Sequence, residues 1–208
     1  MSQKRPGAKA GTDDGDTPSK PARASRDHTS AAALETAAID YLARYSSSRI
    51  QLRRVLERRI RRWAEQDGTD PVAARGLLPD LLAKLERNGL LDDRRFAAGH
   101  AASLQRRGRS LARIKLGLAQ RGVAGEIATE TVKELAAGNP AADFAAAANH
   151  ARRRRLGPYR APAERRERRD KDLASLARAG FAYETARRVI DAASSAALEA
   201  AAAATEED

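Results

Sequence analysis

Arginine is the residue type in this chain best placed to do chemistry, and it occurs in three clusters that lie far apart in the sequence. A guanidinium is a fixed fork of N–H donors that binds two phosphate or carboxylate oxygens at once. Each cluster is therefore a candidate surface for a polyanion or for an acidic protein. The candidate residues are Arg54, Arg58 and Arg61 in the first cluster, Arg106, Arg107, Arg109, Arg113 and Lys115 in the second, and Arg152, Arg153, Arg154 and Arg155 in the third.

The second cluster has the strongest claim to be a binding surface. No acidic residue occurs between Arg106 and Arg121, so no local carboxylate can neutralise it. Arg109 and Arg113 lie one helical turn apart just after a glycine. Arg113 lies on the face opposite the apolar residues, so we expect its side chain to be exposed and available to a partner.

The third cluster is followed by a charged segment whose arginines need not all face a partner. Glu164 and Glu167 each stand four residues before a basic residue, Arg168 and Lys171, which is the spacing of a helical ion pair. Part of the charge in this segment is therefore predicted to be structural. Its further arginines are Arg160, Arg165, Arg166, Arg168 and Arg169.

Two neighbouring aspartates, Asp92 and Asp93, resemble an acid–base pair. They directly follow Gly89-Leu90-Leu91 and precede a predicted helix. At that position one aspartate caps free backbone N–H groups, and the other favours the positive end of the helix dipole. We predict helix capping for this pair.

Features needed for catalysis or metal binding are missing from the sequence. It contains no cysteine, nucleophile elbow, phosphate-binding glycine loop or dinucleotide fingerprint. The histidines lie far apart, without a carboxylate or a second histidine at ligand spacing, and they are His28, His100 and His150. We expect no enzymatic activity, no cofactor, no metal and no small-molecule substrate.

Charge is concentrated in the middle of the chain. The first thirty residues contain no valine, isoleucine, leucine, phenylalanine, tyrosine or tryptophan and carry a net charge of +2, and the last ten residues carry −4. Because the whole chain carries +11, the segment between them carries +13. We predict a disordered tail at 1–30. Aromatic residues make up only 4% of the chain, and Trp63 ends an apolar stripe, so we expect charge rather than base stacking to attract the partner. We also expect a cytoplasmic protein without membrane segments.

The elements that position these clusters are predicted to be helices. Alanine, leucine, arginine and glutamate dominate after residue 30, and no strand-length run alternates apolar with polar residues. Glycines and prolines separate the helical segments, and Ser48, Asp70 and Ser110 are placed as helix N-caps. Nine helices are predicted, at 31–44, 48–65, 71–88, 92–107, 110–121, 124–137, 140–155, 162–179 and 182–195.

An internal repeat connects these helices. Residues 118–128 and 176–186 share a leucine, a glycine four residues later, an apolar residue and a glutamate. The glycine fits a left-handed helix C-cap, and the apolar residue after it seals the helix end. The spacing predicts an all-α chain of three tandem three-helix repeats forming an elongated, curved array. The predicted units are 31–90, 91–138 and 139–195, with an alanine-rich, acidic C-terminal end at 196–208.

Four stretches of the sequence resemble the RecX family of recombination regulators, and together they span about residues 36–193. Gly89-Leu90-Leu91-Asp92 followed by Phe96-Ala97 resembles the family signature most specifically. A second stretch is Gly108-Arg109-Ser110, with Ile114, Leu118, Gly122 and Val123 after it. The other two are 176–181 with Val189 and Ile190, and Tyr41-Leu42 with Gln51-Leu52.

The resemblance implies a function that composition alone does not. Members of the family bind a RecA-type recombinase filament on single-stranded DNA, lower its ATP hydrolysis and strand exchange, and are not enzymes. The expected partners are this filament and single-stranded DNA, contacted directly or through the filament. The arginine run 152–155, the charged helix 164–172 and both ends of the chain depart from the family pattern.

Two other functions fit the charge. A basic, helical, architectural nucleic-acid-binding protein would need no recombinase, and its DNA affinity would fall steeply with salt. A cationic helix on a membrane surface is a weaker alternative, because the arginines are spread over many helices. Recombinase inhibition separates the first of these from the filament regulator.

Overall fold

The computed structural model describes residues 30–67 and 70–204. All regular structure in these two ranges is helical. No helix there has the length and apolar character that a bilayer crossing requires. The tail predicted at 1–30 and the acidic residues 206–208 lie outside the described residues, except for Ser30, whose hydroxyl caps the first helix.

The helices fall into three groups, each with its own core of buried side chains. We call these groups modules 1, 2 and 3. Module 1 contains α1 (Ala31–Leu42), α2 (Arg49–Asp67), α3 (Pro71–Gly76) and α4 (Leu78–Arg87); module 2 contains α5 (Asp93–Arg106), α6 (Leu111–Gln120) and α7 (Gly125–Gly138); and module 3 contains α8 (Ala142–Arg154), a 3-10 turn (Gly157–Tyr159), α9 (Pro162–Arg178), α10 (Tyr183–Ile190) and α11 (Ser195–Ala204).

The cores use the apolar stripes seen in the sequence. Leu52, Leu56 and Ile60 of α2 are fully buried in the first core, and the partly buried Trp63 packs against it as predicted. Ile114 and Leu118 of α6 are likewise fully buried in the second core. The third core is built from Phe144, Ala147, Leu176, Phe181, Val189, Ile190 and Leu198, with alanines of α8 around them.

Two helix predictions were wrong. The helix predicted at 71–88 breaks at Leu77, because Pro79 has no N–H to donate to the carbonyl of Arg75 and a continuous helix cannot pass through it. The helix predicted at 182–195 ends at Ile190, and a further helix that the sequence analysis did not predict, α11, follows it. The Ser194 hydroxyl accepts from the N–H of Ala197 and caps α11, whose Leu198 is buried in the third core.

The junction between modules 1 and 2 is made at the start of α2. The Ser48 hydroxyl accepts from the N–H of Gln51, as predicted for an N-cap, and it also donates to the carbonyl of Arg121 at the end of α6. The N–H of Arg49 donates to the Asp93 carboxylate at 2.7 Å. Asp93 therefore ties one module to the other, whereas Asp92 alone caps α5, accepting from a backbone N–H at 3.0 Å.

The junction between modules 2 and 3 repeats this arrangement one module further along. The Ser110 hydroxyl donates to the carbonyl of Ala179 at 2.8 Å, and the N–H of Leu111 donates to the Asp143 carboxylate at 3.0 Å. Gly180 has a φ of +89°, and a Cβ on it would lie 2.7 Å from the Ser110 hydroxyl oxygen. Only glycine permits both the left-handed turn and this close approach, so the glycine of the sequence repeat is a contact site between modules.

Candidate anion-binding groove between modules 2 and 3

A concave groove of about 790 Å³ lies at the junction between modules 2 and 3. The C-terminal ends of α5, α8 and α9 reach it, together with the start of α6. The free carbonyls at a helix C-terminus carry partial negative charge, which favours arginines in the last turn. Six arginines line the groove, and we call them the groove arginines: Arg107, Arg109, Arg113, Arg153, Arg154 and Arg178.

The groove carries a strong positive charge. No aspartate or glutamate occurs among its described lining residues, and its other lining atoms are neutral. The side chains of Arg109, Arg154 and Arg178 make no hydrogen bond or ion pair with any residue that the structure describes. Their guanidiniums therefore line one groove with their N–H donors unused, an arrangement that favours a polyanion.

Arg113 has two functions at this site. Its side chain is exposed, as predicted, but the expectation that it is fully available was wrong, because one terminal nitrogen donates to the carbonyl of Arg178 at 2.7 Å. This bond connects α6 to the end of α9 across the junction. The remaining N–H groups of Arg113 still line the groove, so the residue contributes both to packing of the modules and to charge.

A second basic cavity of about 410 Å³ continues the groove along α6. Arg107, Arg109 and Arg113 line both cavities, and Arg121 and His100 are among the other residues that line the second one. The three shared arginines therefore join the two cavities into one cationic surface.

Both histidines near these arginines have a lowered pKa. Burial lowers the pKa of His150 in the groove, and the charges of Arg154 and Arg153 lower it further. The pKa of His100 is also lowered, first by burial and then by the charges of its arginine neighbours. The Nε2 atom of His150 is buried and has no hydrogen-bond partner among the described residues. Sequence reasoning missed this placement, which depends on the folding of α8 against α9.

The structure brings together only part of the predicted set. Five predicted residues lie in the groove, and Arg178 joins them although the sequence analysis did not select it. Its position in the last turn of a helix, just before a junction glycine, is the signal that could have identified it. The other predicted residues are exposed outside the groove: Arg54, Arg58 and Arg61 on α2, Arg106 and Lys115 in module 2, and Arg152 and Arg155 at the end of α8.

The arginines of the charged segment are largely structural, as predicted, but their partners are not the predicted ones. Arg160 binds the buried Asp172 through two nitrogens at 2.7 and 2.8 Å. Burial raises the pKa of Asp172, but hydrogen bonds from Arg160 and from the N–H of Gly157 outweigh this effect and hold that pKa below its ordinary value. The Glu164 carboxylate lies 3.9 Å from the Arg160 guanidinium. The predicted ion pairs of Glu164 with Arg168 and of Glu167 with Lys171 do not form.

Two arginines of α9 also have hydrogen-bond partners within module 3. Arg169 binds Asp191 through two bonds of 2.7 Å, and these bonds lower the pKa of Asp191. Arg165 donates to the carbonyls of Gly157, Ala192 and Ala193, which close the loop before α11. We call Arg160, Arg165 and Arg169 the paired arginines.

Comparison with known proteins places the chain in a family. Residues 92–132, from Asp92 through most of α7, match the family model described as RecX, second three-helix domain. A protein named Regulatory protein RecX from Myxococcus xanthus is 43% identical over 159 residues, which is 76% of this chain and 84% of that relative. The chain therefore belongs to the RecX family. No solved structure matches it significantly.

Two further relatives named Regulatory protein RecX support the assignment. The one from Halorhodospira halophila is 36% identical over 65% of this chain and 73% of its own length. The one from Agrobacterium fabrum is 35% identical over 67% of this chain and 72% of its own. In this RecX-family chain, the matched domain supplies Arg107, Arg109 and Arg113 of the groove, and module 3 supplies the other three groove arginines.

Proposed function

We propose that this chain regulates homologous recombination and DNA repair by binding a RecA-type recombinase filament on single-stranded DNA and lowering its ATP hydrolysis and strand exchange. Membership of the RecX family supports this proposal. The observation that carries it is the groove between modules 2 and 3, where six arginines converge without a carboxylate.

The groove suits a filament because a nucleoprotein filament presents anions of two kinds. Its DNA offers phosphate oxygens, and its protein surface offers carboxylates, and a guanidinium fork binds either in pairs. Charged pairs that are shielded from water inside a groove couple more strongly than pairs on an open surface. The groove arginines are therefore the contact whose loss should weaken filament binding most.

The proposed inhibition of the recombinase follows from the two modules that supply the groove arginines. Arg107 and Arg109 belong to module 2, while Arg153 and Arg154 belong to module 3, so a bound anionic segment is held from both sides of the junction. A chain bound in this way covers the filament surface and opposes the subunit movements that accompany ATP hydrolysis. The proposed partners are the filament and its single-stranded DNA.

The test is the DNA-dependent ATPase activity of the cognate recombinase. Purified chain added below the molar amount of recombinase should lower the rate of ATP hydrolysis, because each bound copy affects several filament subunits. An unchanged rate at every ratio, together with tight and salt-dependent binding to bare DNA, would instead indicate an architectural nucleic-acid-binding protein. Electron micrographs of filaments should show added density or shortened filaments.

A further inference from the structure

A third basic cavity lies on module 1, between α1 and α2, and shares no lining residue with the groove. It measures about 280 Å³, and four arginines and two tyrosines line it together with one aspartate and one valine. We call it the tyrosine cavity. Its arginines are Arg44, Arg58, Arg59 and Arg62, and its tyrosines are Tyr41 and Tyr45.

The two tyrosines form an aromatic surface at the end of α1. Their ring centroids are 5.1 Å apart at an angle of 38°. Tyr41 is partly buried against the first core, and its hydroxyl accepts from the side-chain amide of Gln51 at 3.5 Å. Tyr45 is 56% exposed, and its backbone N–H donates to the carbonyl of Tyr41 at 2.9 Å, which anchors the main chain beside the Tyr41 ring. The exposed ring therefore has surface available to another planar group.

The arginines of the cavity divide into two kinds. Arg44 donates to the carbonyl of Asp40, and Arg59 donates to the carbonyl of Ala37 while lying 5.4 Å above the Trp63 ring. These two are anchored. The other two, Arg58 and Arg62, are exposed, and their side chains make no hydrogen bond or ion pair with the rest of the described chain. With one carboxylate against four guanidiniums, the cavity has a net positive charge that favours an anion.

We propose that the tyrosine cavity binds single-stranded nucleic acid, with a base stacked on Tyr45 and the flanking phosphates held by Arg58 and Arg62. Stacking platforms next to cationic side chains are the features that bind an unpaired strand without sequence preference. An acidic peptide would occupy the arginines but leave the Tyr45 ring uncovered. A duplex keeps its base faces stacked inside the helix and could not use that ring.

This site differs from what the low aromatic content predicts. The chain has four tyrosines, and two of them lie together here beside four arginines. The proposal also goes beyond filament regulation, because it concerns the bare strand and does not depend on a recombinase.

The test compares two labelled ten-nucleotide probes of equal charge by fluorescence anisotropy, without recombinase. One is oligo(dT), and the other is an abasic deoxyribose-phosphate chain. The full chain should bind oligo(dT) about tenfold more tightly, since each stacked base adds affinity that the abasic chain cannot supply. Equal binding of the two probes, or binding of neither, would overturn the proposal.

Substitutions locate the base preference. Tyr45→Ala should bind both probes equally, and Tyr45→Phe should keep the preference because it keeps the ring. Tyr183→Ala is the matched control, since Tyr183 is 62% exposed on α10, far along the chain. A preference that persists in Tyr45→Ala, or that disappears in Tyr183→Ala, would contradict the assignment to this cavity. Failure of this test would leave recombinase inhibition by the groove unaffected.

The arginine contribution is measured separately through salt dependence. Arg58→Gln with Arg62→Gln should weaken binding of both probes while the base preference remains. Its log–log slope against salt should fall by about 0.7 for each phosphate contact removed. An unchanged slope would show that these two arginines do not contact the strand.

Discussion

The groove arginines and the paired arginines are the same residue type, and both sets have members in module 3, yet the surroundings of these members differ. Arg160, Arg165 and Arg169 are occupied by carboxylates or backbone carbonyls of their own module. Arg154 and Arg178 line a cavity without a carboxylate and have no side-chain partner in the described chain. The number of arginines in a segment therefore does not separate those that stabilise the fold from those whose N–H donors are left for a partner, whereas their contacts in the folded chain do.

The largest expected effect is on stability, at a paired arginine. Arg160→Ala leaves the buried carboxylate of Asp172 without its cation, and we expect a loss of about 3 kcal/mol in the free energy of unfolding. Arg166→Ala, at an exposed position on α9, should change it by no more than about 0.5 kcal/mol. Urea unfolding measures both. Equal stability of the two variants would remove the distinction between paired and unpaired arginines.

A smaller effect is expected at Arg113, a groove arginine that also has a backbone partner. Arg113→Gln removes the bond to the carbonyl of Arg178, and the free energy of unfolding should fall by about 1 kcal/mol. Arg109→Gln, one turn away, has no such bond to lose and should leave stability unchanged. Thermal unfolding followed by circular dichroism compares the two. If both variants lose the same stability, the bond across the junction contributes nothing.

The smallest effect concerns pH. The low pKa of His150 owes part of its shift to Arg154 and Arg153, so a polyanion that neutralises these arginines should allow that pKa to rise. Binding then takes up a proton, and affinity for a polyanion should increase about threefold as pH falls from about 7.5 to about 6. The affinity for oligo(dT) at constant salt is the quantity to measure.

Substitutions of the two histidines show which of them causes this pH dependence. His150→Phe keeps an aromatic ring against Phe181 and removes the titrating group, so it should reduce the dependence. His100→Phe should remove only the part that comes from the adjacent cavity, where Arg121 and Arg107 lower the His100 pKa. Unchanged pH dependence in the His150 variant would show that the groove is not occupied by the probe.

Structural features that depend on neighbouring residues could be predicted from the sequence, whereas contacts between distant residues could not. The caps Ser48, Asp70 and Ser110 follow from residue type and position, because each acts on the backbone within three residues. The helix break at Leu77 is also a local effect, caused by Pro79, but the sequence analysis did not predict it. The partners of Arg160 and Arg169 lie 12 and 22 residues away, so helical spacing could not identify them.

The groove itself could be predicted only in part for the same reason. The acid-free stretch after Arg106 depends on sequence alone, and it indicated Arg107, Arg109 and Arg113, which the structure places in the groove. The convergence of these residues with α8 and α9 depends on the junction at Ser110 and Gly180. The sequence repeat indicates that junction only as a helix end, and its contact across modules becomes visible in the folded chain.

The central claim is that the unpaired groove arginines hold the recombinase filament, and the most direct test is inhibition of ATP hydrolysis by a charge-reversal pair. Arg109→Glu with Arg154→Glu changes one arginine on each side of the groove. The matched control is Arg94→Glu with Arg166→Glu, which makes the same change in net charge at exposed positions outside it. We predict at least a tenfold loss of inhibitory potency for the groove pair, an intact helical spectrum, and near-normal potency for the control. Equal potency of the groove pair and the unmodified chain, or equal loss in both pairs, would contradict the claim.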